Sequence, residues 1–188
     1  MGKDRLSLML KISEIAYKLR PVRVMVLRDE KPFTVDGQKV ELQKGIEMEV
    51  PYWLSRVLIE EEVANTTEMP ITIEDIARVH FSALSARTPA DLEPLPQNFY
   101  RNVKDLIESL EERIRRELNP ALLEEKQKAI QYLAEIVDKR LLIMLQSLRS
   151  PTAIAEVSSK LAPEEAMLLE TLYKTIEEWK RNILPEHQ

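Results

Sequence analysis

Two histidines, no cysteines and three scattered glycines leave this chain few ways to do chemistry. His187 stands one residue from the C-terminus. His80 sits between Val79 and Phe81 in a helical pattern and reads as an ordinary helix histidine. Two His without Cys do not make the usual zinc set. Zero Cys excludes disulfides, thiolate nucleophiles and iron–sulfur clusters. Gly2, Gly37 and Gly45 lie too far apart for a phosphate loop or a dinucleotide fingerprint. No G-x-S-x-G surrounds any serine. Acids do cluster, at Glu60-Glu61-Glu62, Glu111-Glu112, Glu124-Glu125 and Glu177-Glu178. Helix neighbours point about 100° apart, so these read as solvated faces rather than acid/base pairs. The expectation is a non-enzymatic protein with no cofactor and no metal.

Binding is the remaining kind of function. Residues 1–30 hold seven Lys/Arg against four acids. Lys18, Arg20, Arg23 and Arg28 are the candidates for touching nucleic-acid phosphates. Only Tyr17 is at hand there to stack a base. The whole chain carries 27 Lys+Arg and 32 Asp+Glu, a net charge of -5 and a pI near 5.3. Coating of duplex DNA is therefore not the default, because such domains are usually basic. Val50-Pro51-Tyr52-Trp53-Leu54 is a dense apolar stretch. Trp53 and Leu54 read as glue between a helix and a sheet, and Tyr52 as a candidate partner contact.

These residues must be positioned by two different kinds of structure. Residues 1–69 mix helix and strand. A helical spacing from Leu6 to Leu19 ends at Pro21. Residues 22–27 alternate and are β-rich. Residues 33–42 read as a hairpin, with Asp36-Gly37 supplying a type I′ turn. Gly45 marks a further turn before the strand Ile46–Val50, and Pro51 opens a helix to about Val63. This part reads as a small β-meander flanked by helices. Residues 70–188 read as nearly all helix. Thr72 and Asp75 form a capping-box pattern, and Pro89, Pro94 and Pro96 stiffen a linker over 85–96. Phe99 to Leu118 form one stripe. Asn119-Pro120, Ser150-Pro151 and Ala162-Pro163 start three more helices.

The helix from Pro120 to about Arg149 is the informative element. Ile130, Leu133, Ala134, Val137, Leu141, Met144, Leu145 and Leu148 make one apolar stripe. Ala129, Tyr132, Ile136 and Ile143 make a second line. Such a helix is about 45 Å long, whereas a compact domain of this size is about 35 Å across. Two readings stand open: a wide stripe inside one bundle, or a face for a partner helix. On the second, Tyr132, Ile136, Ile143 and Met144 are the candidate contacts. Ile136→Asp or Ile143→Asp is then expected to break assembly and leave the fold helical.

At 188 residues and 21.9 kDa the chain makes one large domain or two small ones. Hydrophobic residues are 44% and charged ones 31%, which suits a folded and not a disordered protein. The expected fold class is mainly α: an elongated helical bundle domain, 70–188, preceded by a small β-rich domain, 1–69. The longest aliphatic run, Leu141–Leu145, is far too short to span a bilayer. No signal-peptide core precedes residue 20, and Leu6 departs from the myristoylation pattern begun by Met1-Gly2. The lack of cysteine suits the cytoplasm.

Met48-Glu49-Val50-Pro51-Tyr52-Trp53-Leu54-Ser55 closely resembles the "vEVPlWLA" stretch of one class of GINS subunits, in which a small β-domain precedes the helical domain. Leu95-Pro96-Gln97-Asn98-Phe99-Tyr100 resembles the "mPxxYY" start of a long helix in that family. Ala134 to Leu141 resembles its "DmwdtRiaKl" segment. Leu161 to Leu184 resembles its terminal helix. The likeness runs over most of residues 20–184. Tyr52 and Ser55 depart from it, since animal members tend to Leu and Ala there.

The resemblance implies an archaeal DNA-replication protein without catalytic residues. It implies a 2:2 heterotetramer with the second GINS class, whose domain order is reversed. It also implies a scaffold joining the MCM helicase and a RecJ-like protein, with the helical domains as the tetramer core. The residues alone leave two alternatives: a nucleic-acid-binding adaptor using Lys18, Arg20, Arg23 and Arg28, and a stand-alone helical adaptor.

Overall fold

A computed structural model describes residues 2–35 and 37–184. Met1, Asp36 and His187 lie outside the described residues. The protein is mainly α with a small β region toward its N-terminus. The backbone divides into two units. One is Ile12–Met69, and the other joins Met1–Lys11 to Pro70–Gln188. Of the described residues, 2–11 group with the helical part, so this division falls inside the first helix.

In the smaller unit, α1 (Gly2–Leu19) leads into β1 (Pro21–Val26). Val22, Val24 and Val26 alternate into the core, as the two-residue period of a strand requires. β2 (Glu30–Val35) and β3 (Gln38–Leu42) pair antiparallel. Val35 faces Gln38, and Gly37 before it takes a positive φ of +78°. β4 (Glu47–Pro51) and β5 (Ala64–Thr66) flank β1 in an antiparallel order β4-β1-β5. The expected meander is thus corrected: β2 and β3 form a separate hairpin, and β1 pairs across it. β5 carries no β-rich run, and only its pairing with Val24, Met25 and Val26 makes it a strand.

α2 spans Tyr52–Glu60. Pro51 is the last residue of β4 and the N-cap, with an extended ψ of 143°, and not the first helical residue. At the far end the Val63 N–H donates to Leu58 O at 2.8 Å, and the Glu62 N–H donates to Ile59 O at 3.0 Å. That is a Schellman closure, whose left-handed position falls on Glu62 at φ 56°.

The larger unit holds α3 (Ile73–Ser85), a 3₁₀ turn at Pro89–Asp91, α4 (Phe99–Arg116), α5 (Pro120–Ser147), α6 (Pro151–Ser158) and α7 (Pro163–Ile183). The starts of α3, α5 and α6 are capped by their own N-cap side chains. Thr72 Oγ1 accepts the Asp75 N–H while Asp75 accepts the Thr72 N–H. Asn119 Oδ1 accepts the Ala121 N–H, and Ser150 Oγ accepts the Ala153 N–H. α5 has 28 residues, or about 42 Å. Its inner face joins two apolar clusters. Ala129 and Ile136 pack with Ile76 of α3 and Phe99 and Val103 of α4. Ile143 and Met144 pack with Leu92, Val157 of α6 and Leu169 of α7.

Left-handed backbone costs a side-chain-bearing residue about 1 kcal/mol or more. Glu62→Gly is therefore expected to stabilise the chain by roughly 0.5–1 kcal/mol. Urea unfolding of the two proteins measures it, and a destabilised variant would show that the Glu62 side chain makes up for its own strain.

Candidate partner interface on the long helix

The two apolar lines of α5 lie one residue apart, and so about 100° apart around the helix. Leu122, Ala129, Ile136 and Ile143 repeat every seven residues, and all four are buried. Leu123, Ile130 and Val137 follow one position later and Leu145 two positions after Ile143, all within an arc of about 80°. All four are exposed, as is Leu142. Ile136 is 0% exposed and its neighbour Val137 is 41% exposed, so the division is sharp.

This reverses the expected partner contacts. Ile136, Ile143 and Met144 are core residues with almost no surface left for a partner, so their assignment to an interface is corrected. The Asp replacement expected to spare the fold would put a charge into the core instead. Tyr132 is half-buried, and its ring stacks on His80 of α3 with centroids 4.5 Å apart. His80 Nε2 lies 2.5 Å from Glu135 Oε2, and Gln131 Nε2 donates to Glu135 Oε1 at 2.9 Å. The Glu135 carboxyl is held below its usual range, by Gln131 first and His80 second. His80 thus stitches α3 to α5.

The inner face is fixed by a buried ion pair that the sequence reading missed. Arg140 is 2% exposed. Its Nε donates to Glu165 Oε1 at 2.6 Å and its Nη2 to Glu165 Oε2 at 2.9 Å. Its Nη1 donates to Glu93 O at 2.8 Å, and Nη2 also reaches Lys160 O at 3.1 Å. Glu165 accepts two further bonds, from the Tyr100 hydroxyl at 2.6 Å and the Ala162 N–H at 2.8 Å. Ala162 has no side-chain oxygen, so Glu165 alone supplies this cap of α7. Burial, then the Glu165 carboxylate, push the Tyr100 hydroxyl well above its usual range, so it stays a neutral donor. One guanidinium thereby ties α4, α5, α7 and two connecting segments together. The one available signal was Arg140 falling between Ile136 and Ile143 on the same face as they do.

Beside the pair lies a shallow depression of about 220 Å³, lined by Arg78, Ser82, Glu93, Pro94 and Arg140 among others. That is below the ~300 Å³ at which small-molecule sites begin. Ser82 Oγ donates to Glu93 Oε2 at 2.6 Å, and the guanidinium of Arg140 is committed to its own partners.

The candidate phosphate contacts lie in the smaller unit, each beside a carboxylate. Lys18 pairs with Glu14, Arg23 with Glu49 and Arg28 with Glu30. Arg20 pairs with Glu68 at 3.0 Å. Its guanidinium carbon also lies 4.9 Å from the Tyr17 ring and 4.7 Å from the Tyr52 ring. Tyr17 and Tyr52 are themselves 4.8 Å apart. This cluster holds α1 to α2, and makes Tyr52 a packing residue at a half-buried site. Leu54 is buried in the sheet's core, while Trp53, read as glue beside it, is 37% exposed.

Arg140→Met would leave the Glu165 carboxylate buried and without its cation, at a cost of about 3–5 kcal/mol. Adding Glu165→Met should recover part of that loss. Urea unfolding followed by far-UV circular dichroism measures both. A single change costing under about 1 kcal/mol would show that the pair does not hold the inner face.

Compared with protein-family models and with curated proteins, the chain matches none.

Proposed function

We propose that this chain is a non-enzymatic subunit of a GINS-type replication scaffold. In this reading it assembles with a second subunit class of reversed domain order, two copies of each, and joins the MCM helicase to a RecJ-like protein. The observation that carries the reading is the exposed apolar line on α5: Leu123, Ile130, Val137 and Leu145, running about 33 Å along the helix. A line of that length facing water favours a partner. Two features agree with it. The β-rich part precedes the helical part, and the stretches of family-like sequence fall at the β4–α2 junction, the start of α4, the middle of α5 and α7. The adaptor reading through nucleic acid has less support. Lys18, Arg20, Arg23 and Arg28 each face a carboxylate, and the net charge is -5.

Light scattering tests the proposal, on the chain alone and co-expressed with the reversed-order subunit from the same genome. The expected result is a two-plus-two complex. Val137→Asp and Leu145→Asp should reduce its mass while keeping the helical circular dichroism. Ile136→Asp should lose that signal. A monomer in both preparations would overturn the proposal in favour of a stand-alone adaptor.

A further inference from the structure

A second uncovered apolar line lies on α1. Leu8, Ile12, Ile15 and Leu19 are each more than half exposed. Their spacing of four, three and four is the seam of a two-stranded coiled coil, with Leu8 and Ile15 at d positions and Ile12 and Leu19 at a positions. All lie on one continuous helix, so helix geometry alone sets their alignment. The opposite face carries Tyr17, buried among its own neighbours. This line does not depend on the scaffold reading.

We infer that α1 docks one helix of a different chain, and that this helix carries acidic residues along one flank of its apolar seam. The charge pattern selects that occupant. Lys11 and Lys18 take successive g positions beside the seam, and both are exposed. Lys18 pairs with Glu14 of the same helix at 3.1 Å, with both side chains about half exposed, and such a surface pair contributes little. A second copy of this chain does not satisfy the lysines. Antiparallel, they would face each other. Parallel, they would face the e positions, which are Met9 and Ala16. Glu or Asp on the incoming helix satisfies both. A membrane surface fits less well, since the seam is narrow and its exposed residues include none of the aromatics that seat interfacial helices.

The test uses the full chain and a labelled 21-residue peptide with a Leu/Ile seam and Glu at its flanking positions, followed by fluorescence anisotropy. A control peptide carries Lys there instead. The expected result is saturable binding of the Glu peptide, with the Lys peptide weaker by roughly tenfold. The double change Lys11→Glu and Lys18→Glu should invert that preference. Ile12→Asp together with Ile15→Asp should abolish binding, with circular dichroism confirming an intact fold at these exposed sites. Equal binding of the two peptides, or none, would overturn the inference. So would self-association lost on Ile15→Asp, or partition onto phosphatidylserine vesicles in preference to the Glu peptide.

Discussion

Arg140 and Glu165 set the constraint on which the larger unit depends. A guanidinium and a carboxylate taken out of water are costly unless nearly every donor and acceptor is met. Here the carboxylate receives four hydrogen bonds and the guanidinium gives four. The partners come from α4, α5, α7, the proline-rich linker and the turn before α7. A small rotation of α5 would break several of these bonds at once, so the pair fixes which side of α5 looks inward. Apolar packing at Ile136 and Ile143 agrees with that choice, but hydrophobic contact alone is not directional.

The outward face follows from the inward one. With Ile136 turned into the cluster around Phe99, Val137 is carried about 100° away, toward solvent. The outward line recurs along the helix as the exposed Leu123, Ile130, Val137 and Leu145, which a solitary bundle would have little reason to keep. The described residues use a buried charge pair for architecture and leave apolar lines uncovered on α5 and α1. The scaffold proposal rests on this division, and the α1 inference is a second, independent instance of it.

Local chemistry was legible in the sequence. Thr72 and Asp75, Asn119 before Pro120, and Ser150 before Pro151 each mark a helix start by bonds within three residues. The order of a β-rich part before a helical part followed from the same local signals. Pairing at a distance was not legible. Ala64-Asn65-Thr66 becomes a strand only against β1, and β1 pairs with β4 and not with the hairpin that follows it. The two lines of α5 were visible as lines, but their facing was not. Arg140 among Ile136, Ile143 and Met144 makes that side look like the outer one, and its partner Glu165 is 25 residues away. The carboxylates beside the basic cluster were hidden for the same reason, since Glu68 and Glu49 approach Arg20 and Arg23 only through the folded sheet.

The absence of cysteine makes one direct measurement clean. Single cysteines at positions 136 and 137 of the full chain can be timed against a soluble thiol reagent, alone and with the reversed-order partner. The account predicts that Ile136→Cys stays unlabelled until denaturant is added. Val137→Cys should label rapidly in the free chain and become protected in the complex. Equal labelling of the two positions in the folded chain, or no protection of position 137 within a complex of confirmed mass, would contradict it.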